Sequence, residues 1–164
     1  MPILDSRTLE FFSRSPEQTR RLGMRLGSLL QVGDLVCLSG DLGAGITTLV
    51  QGMAQGWGSL DPVSSPTFVL VNMYRRPDGK SLRHLDAYRL QNALEAEDLD
   101  VTLMLETGAL VVEWAERISA ALPAESIWIK MRWMADEQRG MIFNPHGERY
   151  ERLLVSFRKH VFGG

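Results

Sequence analysis

Gly40-Asp41-Leu42-Gly43-Ala44-Gly45-Ile46-Thr47 has the spacing of a phosphate-binding loop, G-x-x-x-x-G-K-[ST], at every position but 46. The chemistry behind that spacing is backbone chemistry. Glycines let the chain wrap until successive N–H groups point at phosphate oxygens. The helix that follows adds the partial positive charge of its N-terminus, and the Thr47 hydroxyl is placed to meet a magnesium ion. The spacing therefore predicts a nucleotide cradle built from Asp41, Leu42, Gly43, Ala44, Gly45, Ile46, Thr47 and Thr48. A glycine-rich strand-to-helix turn that binds nothing is the alternative.

Ile46 stands where the pattern has lysine. A lysine there donates to the β- and γ-phosphates and gains strength as charge shifts in the transition state. Isoleucine offers no donor, no charge and a stiff branched side chain. Losing a charged hydrogen bond costs about 1.5–3 kcal/mol in nucleotide binding, and a donor that strengthens in the transition state is worth roughly 10²–10³-fold in rate. The backbone cradle survives this change; hydrolysis is expected to be impaired.

Such a loop needs acidic partners for its metal. Leu110-Val111-Val112-Glu113 and Leu82-Arg83-His84-Leu85-Asp86 both read as strands ending in an acid. A carboxylate at the carboxyl edge of a sheet faces the crevice where ligands bind, although strands also end in surface acids with no ligand. Ser65-Pro66-Thr67-Phe68 is turn chemistry, and Thr67 in it could reach a metal or γ-phosphate as a switch loop does. By period two His84 and Asp86 share a strand face, so His84 is either an orienter of that carboxylate or a structural histidine.

The elements that must position these residues follow from local pattern. A strand is expected near residues 9–13. Ser15-Pro16-Glu17-Gln18 starts a helix, with Ser15 as cap, Pro16 in the first position and Gln18 completing a capping box. A buried strand over 35–39 runs into the glycine loop, and a helix over 47–55 ends at Gly56 and Gly58. Strands over 68–75 and 81–86 flank the Pro77-Asp78-Gly79-Lys80 turn as a hairpin. Helical pieces over 93–106 precede a buried strand over 109–113, a helix over 114–122, an exposed or edge strand over 127–133 and a closing helix over 147–159. Strands alternating with helices, plus a hairpin, predict an α/β fold with a mixed sheet.

The chain is 164 residues long, which fits one domain spanning 1–164. Its 18 basic and 20 acidic side chains give a net charge of −2, without the basic surplus that phosphate-gripping proteins carry. Direct tight nucleic-acid binding is therefore not expected. Cys37 has no partner for an internal disulfide and lies in an apolar run, as a small core residue of a reducing compartment does. No run suits a membrane span and residues 1–10 lack a signal-peptide core. A cytoplasmic location is expected. Trp57, Trp128 and Trp133 read as packing rather than stacking platforms; Trp114 is the exception, since it follows Glu113 where the metal is expected.

The loop, then Ser65-Pro66-Thr67-Phe68, then His84-Leu85-Asp86-Ala87-Tyr88-Arg89-Leu90, then Glu113-Trp114 together resemble the TsaE family in order and spacing. The likeness extends from the Ser15 helix start to Arg139, and the HxDxYRL segment with its downstream Glu-Trp is more specific than the loop. The resemblance implies a P-loop ATPase fold with a mixed, mostly parallel sheet flanked by helices. It implies a role in threonylcarbamoyladenosine (t6A) modification of adenosine 37 in tRNAs reading ANN codons. The partners it implies are a threonylcarbamoyl-transferase subunit and that subunit's paralogous, non-catalytic companion. By matching position, ATP or ADP binds with Mg2+ on Thr47 and Glu113, Asp86 is the acid needed for hydrolysis, Thr67 lies in a switch-like loop, and Glu17 and Arg139 lie close to the nucleotide. Two residues depart from the family pattern: Ala87 stands for a usual leucine and Ile46 for the lysine. A nucleotide-free interaction module and a small P-loop kinase are the competing readings; the second lacks an arginine-rich lid insertion.

Overall fold

Leu35, Val36, Cys37 and Leu38 are all fully buried, which is what a central strand sandwiched between two layers requires. In the computed structural model, which describes residues 8–41, 45–61, 71–90 and 93–162, this segment is β2 (Leu35–Gly40) at the middle of a seven-stranded sheet. The other strands are β1 (Leu9–Ser13), β3 (Val71–Arg75), β4 (Ser81–Asp86), β5 (Gly108–Glu113), β6 (Ser126–Ala135) and β7 (Gln138–His146), in the order β1-β7-β6-β2-β5-β4-β3. The inner pairs β4/β5, β5/β2 and β2/β6 are parallel. The outer pairs β1/β7, β7/β6 and β3/β4 are antiparallel. The fold class is the expected α/β one.

One face is covered by α1 (Pro16–Leu29), α2 (Gly45–Trp57) and α5 (Glu148–Phe162). Their Leu22, Leu26, Leu49, Met53, Leu153 and Phe157 pack on Val36, Leu38, Val111, Ile129 and Phe143. The other face carries Leu35, Cys37, Leu85, Leu110 and Val112 under Ala96, Val101 and Ile118, from the short helices α3 (Ala93–Glu97) and α4 (Val101–Thr107) and the turns after β5. Among the described residues no helix is long and apolar enough to cross a membrane.

Helices α1 and α2 lie unusually close. A Cβ at Gly23 or Gly27 would land on the carbonyl oxygens of Leu49 and Met53, and one at Gly52 or Gly56 on those of Arg20 and Met24. Small residues four apart on both helices let the two backbones touch. Gly56, expected to end α2, is thus inside it as a packing residue; the helix ends at Gly58, whose φ of +99° suits glycine. At the start of α1 the Gln18 N–H donates to Ser15 Oγ (3.1 Å), and the Gln18 side chain accepts from Arg14 N–H (2.7 Å) rather than from the cap residue's own.

Two further expectations change, and one strand is new. No regular helix forms over 114–122, because Trp114 takes a left-handed φ of 60° and two 3-10 turns follow, Ala115–Arg117 and Ser119–Ala121. β6 is interior, paired on both sides; its alternation arises because one face of the β6–β7–β1 part is left open, as antiparallel strands allow. β7, with Gly140 and Pro145 in it, was not foreseen.

Candidate functional site

The loop leaves β2 between two flanks, with β6 and β7 on one side and β5 and β4 on the other. This is the crevice at the carboxyl ends of parallel strands where α/β folds bind ligands. Gly40 turns the chain out of the sheet with a φ of +90°, and a Cβ there would collide with the Met131 carbonyl oxygen, so the position needs glycine twice over. The next amide, Asp41 N–H, donates to that same carbonyl at 2.8 Å and anchors the first step of the loop to β6. The Gly40 N–H is met by Glu116, an exposed residue whose carboxyl is nonetheless pushed above its ordinary pKa by partial desolvation.

Leu42, Gly43, Ala44 and Thr67 lie outside the described residues. Where the chain resumes, Gly45 opens α2, with Thr47 and Thr48 half-buried in its first turn. Ile46 is 2% exposed and belongs to the apolar stripe of Leu49, Val50 and Met53 under α2. Its side chain therefore joins the core, and position 46 offers the site only its backbone.

On the β7 flank, Gly45 and Thr48 line a cleft of about 170 Å³ with Pro16, Thr19, Glu137 and Arg139. Arg139 enters from β7, where it pairs with Trp133 of β6 and Ser13 of β1. Its Nη1 donates to the carbonyls of Asp136 and Gln138, 3.0 Å each. A Cβ on Gly45 would sit 3.2 Å from Arg139 Nε, so a guanidinium stands against the N-terminus of α2. Two positive features face each other there, an arrangement that an anion between them relieves. Among the described residues no carboxylate pairs with Arg139. Glu17, expected near the nucleotide, sits next to Pro16 but turns its carboxylate to Arg20 at 2.6 Å.

On the other flank, the register places Leu38, Glu113 and Asp86 in one row across β2, β5 and β4. The residues two before each, Val36, Val111 and His84, share that face, which is the one under α2. Both acids thus stand at the carboxyl edge on the side of the α2 N-terminus. Asp86 Oδ1 caps the turn after β4 by accepting from Tyr88 N–H at 3.0 Å. Glu113 is 16% exposed, and its Oε2 lies 3.0 Å from His84 Nε2. His84 therefore touches Glu113 on the neighbouring strand, rather than the Asp86 of its own strand. The left-handed Trp114 follows at once, a strained position for a bulky residue of the kind that gathers at ligand sites. Its ring packs at 5.1 Å on Tyr88, and the Arg117 guanidinium lies over the Tyr88 ring at 5.2 Å.

Oxygen donors from a threonine and a carboxylate suit a hard cation such as Mg2+, which takes one or two carboxylates and fills its other positions with water and phosphate. Among the described residues no group of three or more His, Cys, Asp or Glu side chains could hold a metal ion. Sequence reasoning missed Thr19, Glu137 and Glu116 at the site. The first two are brought in by tertiary packing, and Glu116 was read as part of a helix.

Comparison with known proteins shows a family and a fold. The family model for threonylcarbamoyl adenosine biosynthesis protein TsaE matches residues 13–141. A tRNA threonylcarbamoyladenosine biosynthesis protein TsaE of Streptomyces coelicolor is 43% identical over 84% of this chain and 97% of its own length. Its Bacillus subtilis counterpart is 36% identical over 93% and 95%. The crystal structure of Bacillus subtilis YdiB superposes with a TM-score of 0.77 at 31% identity, covering 94% of this chain and 96% of that one.

Proposed function

The chain belongs to the TsaE family of tRNA threonylcarbamoyladenosine biosynthesis, and from that premise we propose that it is an ATP-binding accessory protein for t6A formation with impaired hydrolysis. The observation that supports this most is the row of Glu113 and Asp86 beside the glycine loop, on the face of the α2 N-terminus. The loop amides and Thr48 hold the phosphates, and Arg139 adds a cation from the β7 flank. Thr47 and Glu113 hold Mg2+, which when bound screens the phosphate charge. Asp86 orients the attacking water. Thr67 acts in the switch-like loop, and Glu17 borders the nucleotide through the start of α1.

What the chain lacks is a side-chain donor at 46. Binding rests on backbone amides, which do not depend on that residue, whereas turnover loses the donor that strengthens in the transition state. The protein works in the cytoplasm by docking on the threonylcarbamoyl-transferase subunit and its paralogous companion. With a net charge of −2 it grips tRNA no better than a non-specific protein does, since each phosphate contact adds only about 0.9 to the salt slope.

A reconstituted t6A assay tests the proposal. Leaving this chain out is expected to stop multiple rounds of modification by the partner pair, and restoring it with ATP to rescue them. Full modification without the chain would refute the proposal. So would a sequence-selective, submicromolar tRNA affinity of the isolated chain in filter binding, for the docking part.

A further inference from the structure

His84 is 4% exposed, yet its two ring nitrogens have different fates. Nε2 lies 3.0 Å from Glu113 Oε2, while Nδ1 is buried with no hydrogen-bond partner among the described residues. A carboxylate accepts, so Nε2 is the donor of this pair, and in the tautomer with its proton on Nε2 the Nδ1 atom is an acceptor. Its direct cross-strand partner is Asn72, on the same sheet face, whose buried Nδ2 is likewise unpartnered. Nδ2 is a donor. A cross-strand pair on β3 and β4 thus presents a buried donor and a buried acceptor on the face that carries Glu113. Orphaned buried polar atoms are costly, and a purely structural histidine would be expected to satisfy both nitrogens.

We propose that His84 is a positioning residue for Glu113: its Nε2–H holds one carboxylate oxygen and leaves the other free for a cation. The proposal rests on the reading of Glu113 as the Mg2+ ligand. Carboxylates that bind metals are oriented by hydrogen bonds of this kind, and losing such a bond typically weakens metal affinity roughly 10- to 100-fold. Here the sheet register supplies the orientation. Val111 is the Cα partner of His84, and Glu113 is two residues further on the same face.

The test titrates Mg2+ into the full chain saturated with mant-ADP, for wild type, His84→Leu and His84→Gln. Glutamine keeps an N–H near the place of Nε2; leucine keeps only bulk. His84→Leu is expected to raise the Mg2+ midpoint at least tenfold with nucleotide affinity in EDTA unchanged, and His84→Gln to recover most of the shift. An unshifted midpoint in His84→Leu, or equal shifts in both variants, overturns the inference while leaving the metal site standing. A wild-type chain indifferent to Mg2+ overturns the metal reading and the inference with it. Long-range 1H–15N NMR of the nucleotide-free wild type gives a readout that needs no variant to fold: an Nε2-protonated ring is expected, and an Nδ1-protonated one overturns the proposal.

Discussion

The two flanks of the phosphate loop are built on different principles. On the β5/β4 side, Glu113, Asp86 and His84 are fixed by a parallel ladder whose register sets all three on one face. On the β7 side, Arg139 arrives beside Gly45 from a long antiparallel hairpin, and between the flanks Ile46 has withdrawn into the core. On the reading proposed above, the β5/β4 flank carries the two acids, Glu113 and Asp86, that metal binding and hydrolysis need, whereas the loop has a packed isoleucine at 46 where the P-loop pattern has lysine. On that reading binding and turnover draw unequally on these regions, so isoleucine at 46 is expected to separate two properties that a loop lysine couples.

Removing the acid from the metal flank should have the largest effect. Glu113→Gln is expected to weaken the Mg2+ dependence of nucleotide binding at least ~100-fold, more than loss of an outer hydrogen bond does, while leaving affinity in EDTA intact. Fluorescence titration at several Mg2+ concentrations measures it, and an unchanged dependence would move the metal elsewhere.

Arg139→Ala probes the opposite flank. Losing a charged hydrogen bond to phosphate costs about 1.5–3 kcal/mol, so ADP affinity should fall roughly 10- to 100-fold with or without Mg2+. The contrast with Glu113→Gln is the point, since one variant should act through the metal and the other without it.

Ile46→Lys should raise ATP turnover at least ~10-fold in the presence of the partner pair. Because Ile46 is part of the core, the same change should cost about 1–3 kcal/mol of stability, read by urea denaturation. Equal turnover would mean that another group, with Arg139 the first suspect, has taken over the donor's task.

The smallest effect at neutral pH lies away from both flanks. Burial pushes the Cys37 thiol up from 9.0 to about 12 and the Tyr150 phenol from 10.0 to about 12. Tyr150 Oη accepts from the Leu35 N–H at 2.9 Å at the base of β2. The unfolded chain loses these protons first and so binds fewer of them. Stability is therefore full below pH 9 and falls as pH rises through 9 to 12. Chemical denaturation at pH 7 and pH 10.5 should show the loss, and Cys37→Ala should flatten part of it.

Much of the architecture was legible. The apolar run of β2 and that of β5, the Ser15 cap and the Pro77-Asp78-Gly79 turn are local signals, and each element formed close to where the pattern put it. What failed were segments ruled by neighbours. β7 hides because Gly140 and Pro145 lower its strand character, and pairing with β1 and β6 overrides that. The open face of β6 made an interior strand read as an edge. In the site, the strand-ending acids were visible from sequence, but period two could say only that His84 shares a face with Asp86. That its hydrogen bond crosses to Glu113 depends on the β4/β5 register, which no local pattern encodes.

The central claim is that an isoleucine-bearing loop still holds nucleotide through its backbone, and titration of mant-ADP into the purified chain tests it most directly. Saturable one-to-one binding that Mg2+ tightens is the predicted result. Absence of saturable binding at millimolar nucleotide, with and without Mg2+, would contradict it and leave an interaction module whose loop has lost its ligand.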